Sequence, residues 1–206
     1  TCSRHRVTML DCHDGIPVQP DLDGVLPLDE ARDVVRACLD RGANLNRILA
    51  DGHVGNDGFD VHQINTTYYS ALGCNDDAYL AARAIQFFAP GIPQVYYVGL
   101  LAGRNDMQSV QETGEGRAIN RHNYSMEEVD RAIQSEVVQR LLRLIRFRNT
   151  HPGFGGGFSV EESADDELVL SWKSVRATCR LSVDLNSSRA RIASIEDGGS
   201  PREINV

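Results

Sequence analysis

The sequence is short of positive charge and has no cysteines at paired spacing, and each shortage closes off a class of function. In 206 residues, 21 Lys and Arg stand against 29 Asp and Glu, a formal net charge of −8. A nucleic-acid backbone or an anionic membrane is bound through clustered cations that release counterions, so no nucleic acid and no membrane is expected as a partner. The five cysteines, Cys2, Cys12, Cys38, Cys74 and Cys179, are odd in number, scattered and never spaced as CxxC. That pattern excludes a disulfide framework and a zinc site, and it suits free thiols in a reducing cytoplasm. Residues 1–6 are polar and basic, and the apolar stretch 7–10 is far shorter than the core of a signal peptide. No internal repeat or low-complexity segment occurs. What is present, 41% hydrophobic and 24% charged residues, is the composition of a soluble globular chain able to bury roughly 70% of its unfolded surface.

Hydrophobic periodicity orders the elements. Residues 7–10 read as a short buried strand that ends at the polar cluster Asp11, Cys12, His13, Asp14 and Gly15. Residues 28–41 carry Ala31, Val34, Val35, Cys38 and Leu39 at helical spacing, with Asp29 and Glu30 in the first turn and Gly42 past the end. From 42 to 59 Gly, Asn and Asp punctuate, which marks loops. Residues 76–88 place Leu80, Ala81, Ala84, Ile85 and Phe88 on one face, with Asn75 or Asp76 as cap and Pro90 with Gly91 as stop. The apolar run 94–100 predicts a parallel strand buried on both faces. Ser125 and Glu128 form a capping-box pattern ahead of a long helix through Val137, Val138, Leu141, Leu142, Leu144, Ile145 and Phe147. After Pro152 the period shortens, and 168–172, 178–183 and 190–195 predict strands of a small antiparallel β-domain. The order strand, insert, helix, strand, helix, β-tail is the end of an α/β architecture, since two strands cannot close a barrel that needs eight and about 250 residues.

Three polar clusters follow or flank these strands: His13 with Asp14; Asp60, His62 and Gln63; and Arg117 with Asn120, Arg121 and His122. Loops at the carboxyl ends of parallel strands are where α/β folds build their sites. Taken singly, a His-Asp pair in a loop is more often a surface or capping pair, and a loop arginine more often a solvated charge. Residues 155–157 form no phosphate loop, because neither a helix start nor a placed Lys follows. Tyr68, Tyr69, Tyr96 and Tyr97 suit a core or a pocket wall, and Asp165, Asp166 and Glu167 a solvated turn without calcium-loop spacing.

The strings LDCHDGIPV (10–18), DVHQINTTYYSALGCND (60–76), AARAIQFFAPGIPQVYYVGLLAG (81–103) and GRAINRHNYS (116–125) resemble the C-terminal portion of sucrose phosphorylase and its close relatives. These form the sucrose phosphorylase and glucosylglycerate phosphorylase group of the α-amylase superfamily of glycoside hydrolases. The resemblance runs from about residue 7 to residue 158 and fades in the β-tail. It implies part of a catalytic (β/α)₈ barrel. Residues 1–15 would supply the seventh strand and a catalytic loop, 16–75 an inserted subdomain, 76–151 the seventh helix, eighth strand and eighth helix, and 152–206 a C-terminal β-domain.

The chemistry implied by that resemblance is retaining glucosyl transfer to inorganic phosphate, giving α-glucose 1-phosphate, with no metal or organic cofactor. By motif position Asp14 resembles the transition-state stabiliser, and His13 and Arg117 residues that bind the glucose. Asp60, Val61, His62 and Gln63 match a mobile loop that meets acceptor and phosphate. His62 stands where sucrose phosphorylase has a tyrosine, which implies a small anionic acceptor, with glycerate leading. The strands carrying the family's nucleophile and acid/base have no counterpart here. The chain is therefore expected to be inactive alone and to need the missing N-terminal barrel segment of a longer, cytoplasmic enzyme, for which a homodimer is the candidate assembly. Sucrose phosphorylase proper and a catalytically inert fragment are the alternatives.

Overall fold

A computed structural model describes residues 6–19, 24–46 and 61–206. In chain order the strands are β1 (Val7–Thr8), β2 (Ile16–Pro17), β3 (Asn44–Asn46), β4 (Gln63–Asn65), β5 (Ile92–Pro93), β6 (Gly157–Glu161), β7 (Glu167–Lys173), β8 (Ala177–Asp184), β9 (Arg189–Glu196) and β10 (Arg202–Asn205). The helices are α1 (Leu28–Asp40), α2 (Tyr68–Ala71), α3 (Asp76–Phe88), α4 (Tyr97–Leu100), α5 (Met107–Thr113), α6 (Met126–Gln134) and α7 (Glu136–Thr150). None of these helices is long and apolar enough to cross a membrane. The chain divides into two compact units.

One unit comprises Thr1–Met9, Asn75–Gln94 and Arg131–Val206. Its parallel pair β1 and β5 sets Val7 beside Ile92 and Thr8 beside Pro93. Helix α3 starts where the Asn75 side chain accepts from the Ala78 N–H at 3.0 Å, with Asp76 and Asp77 favoured by the positive end of the helix dipole. It stops at Ala89, held extended by the following Pro90. Its inner face buries Tyr79, Leu80, Ala84, Phe87 and Phe88, each large side chain contributing roughly 1.5–3 kcal/mol. Gln86, also buried, donates to the carbonyls of Thr8 and Gln94 at 2.8 Å each and so ties the helix to both ends of the parallel pair.

The same unit ends in a five-stranded antiparallel meander in the order β10, β9, β8, β7, β6. Alternation in β8 and β9 turns Ala177, Cys179, Leu181, Val183, Ala190 and Ile192 inward. Helices α3 and α7 pack together, and α3 lies on the sheet, where Trp172 Nε1 donates to the Phe88 carbonyl at 2.7 Å. Arg148 sits 4.3 Å from the centre of the Phe154 ring, a cation–π contact that lets a half-buried guanidinium close an aromatic cluster.

Three details differ from the sequence expectations. The buried strand expected at 7–10 is only Val7–Thr8, and Val7 and Met9 are exposed. The strand expected at 94–100 is displaced: the strand is Ile92–Pro93, and Tyr97–Leu100 is helical, with Leu100 N–H donating to Tyr96 O at 2.8 Å. A short apolar run carries no period of its own, so its type is decided by tertiary partners. The long helix expected after Ser125 is broken at Ser135, which is extended and whose hydroxyl donates to Ala132 O at 2.7 Å, an alternative to the helical ladder.

The other unit comprises Leu10–Cys74 and Val95–Asp130. Its sheet runs β2, β4, β3, all antiparallel, with Ile64 of β4 opposite both Ile16 and Leu45. Ala31, Val35 and Cys38 of α1 pack with Val18, Val61, Ile64 and Ala71 in one core. Helix α5 opens with Asp106 as cap and closes on Gly114 in the left-handed conformation (φ +71°), a conformation that costs a side-chain-bearing residue about 1 kcal/mol or more.

Candidate active site

The candidate residues converge because two glycines allow backbones to approach. A Cβ on Gly15 would lie 2.6 Å from the Ile64 carbonyl oxygen, and one on Gly116 2.7 Å from Asn44 Oδ1. Bare backbone at both positions seats residues 12–14 against β4 and brings the 3₁₀ turn Gly116–Asn120 beside β3. Asn120, buried, then donates from Nδ2 to the carbonyls of Cys12 at 3.2 Å and Asp14 at 2.9 Å. Arg121 Nε donates to the His13 carbonyl at 2.8 Å. The loop after β1 is thus held by side chains from more than a hundred residues away.

At the centre stands the Asp14 carboxylate, with about a third of its side chain exposed. Arg117 Nη1 lies 3.0 Å and Arg121 Nη2 3.8 Å from Oδ1, and His13 Nε2 lies 3.5 Å from Oδ2. Arg117 divides its fork, its Nη2 donating to Gln63 Oε1 at 3.1 Å, so one guanidinium orients both the carboxylate and the β4 amide. Burial pushes the Tyr96 phenol well up; neighbouring Tyr97 adds to this, and Arg121 opposes it. Tyr96 is therefore a neutral hydroxyl beside the arginine.

His13, Asp14, Gln63 and Arg117 are brought together. His62 lies one residue before β4, with Nδ1 3.0 Å from the Gln19 carbonyl oxygen. Because that oxygen only accepts, Nδ1 is the donor in this contact. Val61 is buried, its N–H donating to Gln19 Oε1 at 3.4 Å. Asp60 lies outside the described residues. Asn120, Arg121 and Tyr96 were not singled out as binding residues from sequence. The spacing of Arg117 and Asn120 at i and i+3 is the signal that groups those two on one face of a 3₁₀ turn.

Cys12, His13 and Asp14 offer ligand atoms within 4.8 Å of one another, but a divalent ion there would set two full charges against the two guanidinium groups beside the same carboxylate. The arrangement instead suits a neutral polar ligand that acquires positive charge as it reacts: a carboxylate to stabilise that charge, and fixed donors to hold hydroxyl groups.

No family model matches the chain. Sucrose 6(F)-phosphate phosphorylase of Thermoanaerobacterium thermosaccharolyticum is 58% identical over 195 residues, which is 95% of this chain and 40% of that protein. Glucosylglycerol phosphorylase of Marinobacter adhaerens is 47% identical over 194 residues, 93% of this chain and 39% of that protein. The crystal structure of sucrose 6F-phosphate phosphorylase from Thermoanaerobacter thermosaccharolyticum superposes with a TM-score of 0.93 at 57% identity, covering 97% of this chain and 41% of that one. The chain thus spans about two fifths of the length of the curated relatives it matches. With near-complete alignment at such identity, and with a matching fold, the chain corresponds to a portion of the sucrose phosphorylase-like proteins.

Proposed function

We propose that this chain carries the transition-state-stabilising part of a retaining α-glucoside phosphorylase. The observation that supports it most is the Asp14 carboxylate held between Arg117, Arg121 and His13 in the loop that follows a parallel strand. In a retaining transfer the sugar ring passes through an oxocarbenium-like state. A carboxylate fixed before reaction stabilises that charge without reorganising. Arg117 and Arg121 aim the Asp14 carboxylate, while the His13 ring, two-thirds exposed, is available to a sugar hydroxyl. Here β1 and β5 serve as the seventh and eighth strands of a (β/α)₈ barrel. The nucleophile and the acid/base come from the rest of the protein, and phosphate is the second substrate, attacking the glucosyl ester to give α-glucose 1-phosphate.

The acceptor is a small anion. His62, with Nδ1 committed to the Gln19 carbonyl, offers Nε2 as a donor that carries full charge when protonated. A charge-assisted hydrogen bond of this kind is worth about 1.5–3 kcal/mol. With a chain charge of −8, attraction of an anion has to be local. Sequence identity of 58% to a phosphorylase of sucrose 6(F)-phosphate favours fructose 6-phosphate over glycerate. The test is reverse synthesis by the full-length protein from glucose 1-phosphate with fructose 6-phosphate, glycerate, glycerol or fructose, in wild type and His62→Tyr. Preference for an anion in the wild type, weakened in the variant, is expected. Equal use of neutral fructose by both proteins would return the assignment to sucrose phosphorylase proper.

A further inference from the structure

The segment that carries Arg117, Asn120 and Arg121 is held from behind by one imidazole. His122 Nδ1 lies 2.5 Å from Asp106 Oδ2, and its Nε2 lies 3.3 Å from Glu128 Oε1. Ionised carboxylates only accept, so both bonds exist together only when His122 is an imidazolium. Each carboxylate is itself built into a helix start. Asp106 caps α5, accepting from the Ser109 N–H at 2.8 Å and hydroxyl at 2.7 Å, while its own N–H donates to the Ile119 carbonyl at 2.8 Å. Glu128 accepts from the Ser125 N–H at 2.7 Å in the capping box that opens α6. The His122 carbonyl accepts from Tyr97 Oη at 2.9 Å, and the Tyr124 ring packs edge-on against the imidazole with centroids 4.5 Å apart. The groups facing the imidazole are therefore Asp106 from the turn before α5, Glu128 from α6 and Tyr124 from the intervening loop, with Tyr97 of α4 behind them.

We propose that His122 is a positioning residue for the glucosyl site: as an imidazolium it ties the start of α5 to the start of α6, and so holds the turn at 116–121 where Arg117 and Arg121 meet Asp14. This inference rests on the function proposed above. None of the three members of the bridge touches Asp14 itself; the effect runs through the backbone of 119–122 and the Asn120 and Arg121 bonds to the loop at 12–14. Deprotonation of His122 turns a lone pair toward one carboxylate. The longer contact, to the part-exposed Glu128, gives way first, and the Asp106 bond remains.

The electrostatics give the direction. The hydrogen bond to Asp106 holds the His122 pKa above its ordinary value; desolvation opposes this and Glu128 adds to it. Burial alone would raise the Asp106 carboxyl, but the bonds from Ser109 and His122 outweigh it and keep it low. A histidine whose folded pKa is raised contributes its bridge fully below the unfolded value of about 6.5 and loses it as pH rises through the folded one. Turnover therefore declines on the alkaline side.

The experiment uses full-length protein and the arsenate-driven release of glucose from α-glucose 1-phosphate, which needs no acceptor, followed against pH. Glu128→Gln keeps the capping box, since Gln serves at that position, but removes the charge. It is expected to move the alkaline limb down by about half a pH unit, while His122→Gln lowers turnover several-fold and abolishes that limb. A uniform loss at every pH, or an unmoved limb in Glu128→Gln with an active wild type, would overturn the positioning role alone. A wild type that transfers no glucosyl group would sink the proposed function and this inference with it. Independently of any variant, titration of the His122 Cε1–H signal by NMR should give a midpoint above about 6.5, and a midpoint at or below it refutes the bridge.

Discussion

Replacing Asp14 by Asn in the full-length protein isolates the charge at the centre of the site, because Asn keeps an oxygen that Arg117 Nη1, now 3.0 Å away, can still reach. A carboxylate about 4 Å from a full positive charge, at the effective dielectric of about 20 that suits a part-exposed site, is worth about 4 kcal/mol. The reacting ring carries part of a charge, so about half of that, near 2 kcal/mol, is lost directly. The two arginines at 3.0 and 3.8 Å then face the developing cation without their counter-ion and add a comparable penalty. A total of about 3–4 kcal/mol corresponds to a fall of roughly a hundred- to a thousandfold in kcat. Substrate affinity should change far less, because the glucosyl ring itself carries no charge in the ground state. Single-turnover kinetics from glucose 1-phosphate separate the two effects. A kcat within about tenfold of wild type, with unaltered fold, would show that Asp14 does not face the reacting carbon and that the placement of β1 as a barrel strand is wrong.

Gly15→Ala should destabilise the protein by about 1–3 kcal/mol, since its Cβ meets backbone at 2.6 Å; turnover should fall with it, as the same shift moves Asp14, and an unchanged thermal midpoint would contradict the close approach. His151, almost fully buried, accepts the Gly153 N–H on Nδ1 at 3.2 Å and stacks on Phe147; burial lowers its pKa, with Glu196 opposing. The unfolded chain therefore binds this proton more readily, and stability should fall as pH drops through the unfolded value of about 6.5. Denaturant titrations between about pH 7.5 and 5 should show that loss reduced in His151→Gln; equal losses in both would assign acid sensitivity to other groups. The 206-residue chain by itself should release no glucose 1-phosphate, because it lacks a covalent route, and turnover by that purified chain would overturn the division of labour proposed above.

Local signals were the legible ones. Helices α1 and α3 appear where the apolar spacing places them, and Asn75 rather than Asp76 is the cap of α3. Ser125 and Glu128 exchange both bonds of a capping box, as their spacing requires. The three β-tail strands expected from alternation are present and extended by a residue or two, with β6 and β10 added at the edges. What sequence could not supply was anything decided at long range. The 94–100 run became β5 just before it and α4 within it, because the pairing of Ile92 with Val7 fixed where the strand lies. Asn120 and Arg121 matter through bonds to backbone more than a hundred residues away, and no periodicity reports such contacts. The bridge from Asp106 through His122 to Glu128 joins residues whose neighbours look like ordinary helix caps.

The central claim is that the protein moves a glucosyl unit between a small α-glucoside and phosphate with retention. The most direct measurement follows the full-length protein by phosphorus and proton NMR with sucrose 6F-phosphate and inorganic phosphate. The account predicts stoichiometric appearance of α-glucose 1-phosphate and fructose 6-phosphate, with the α configuration kept. Release of free glucose without a new phosphate ester, or formation of the β anomer, would contradict it.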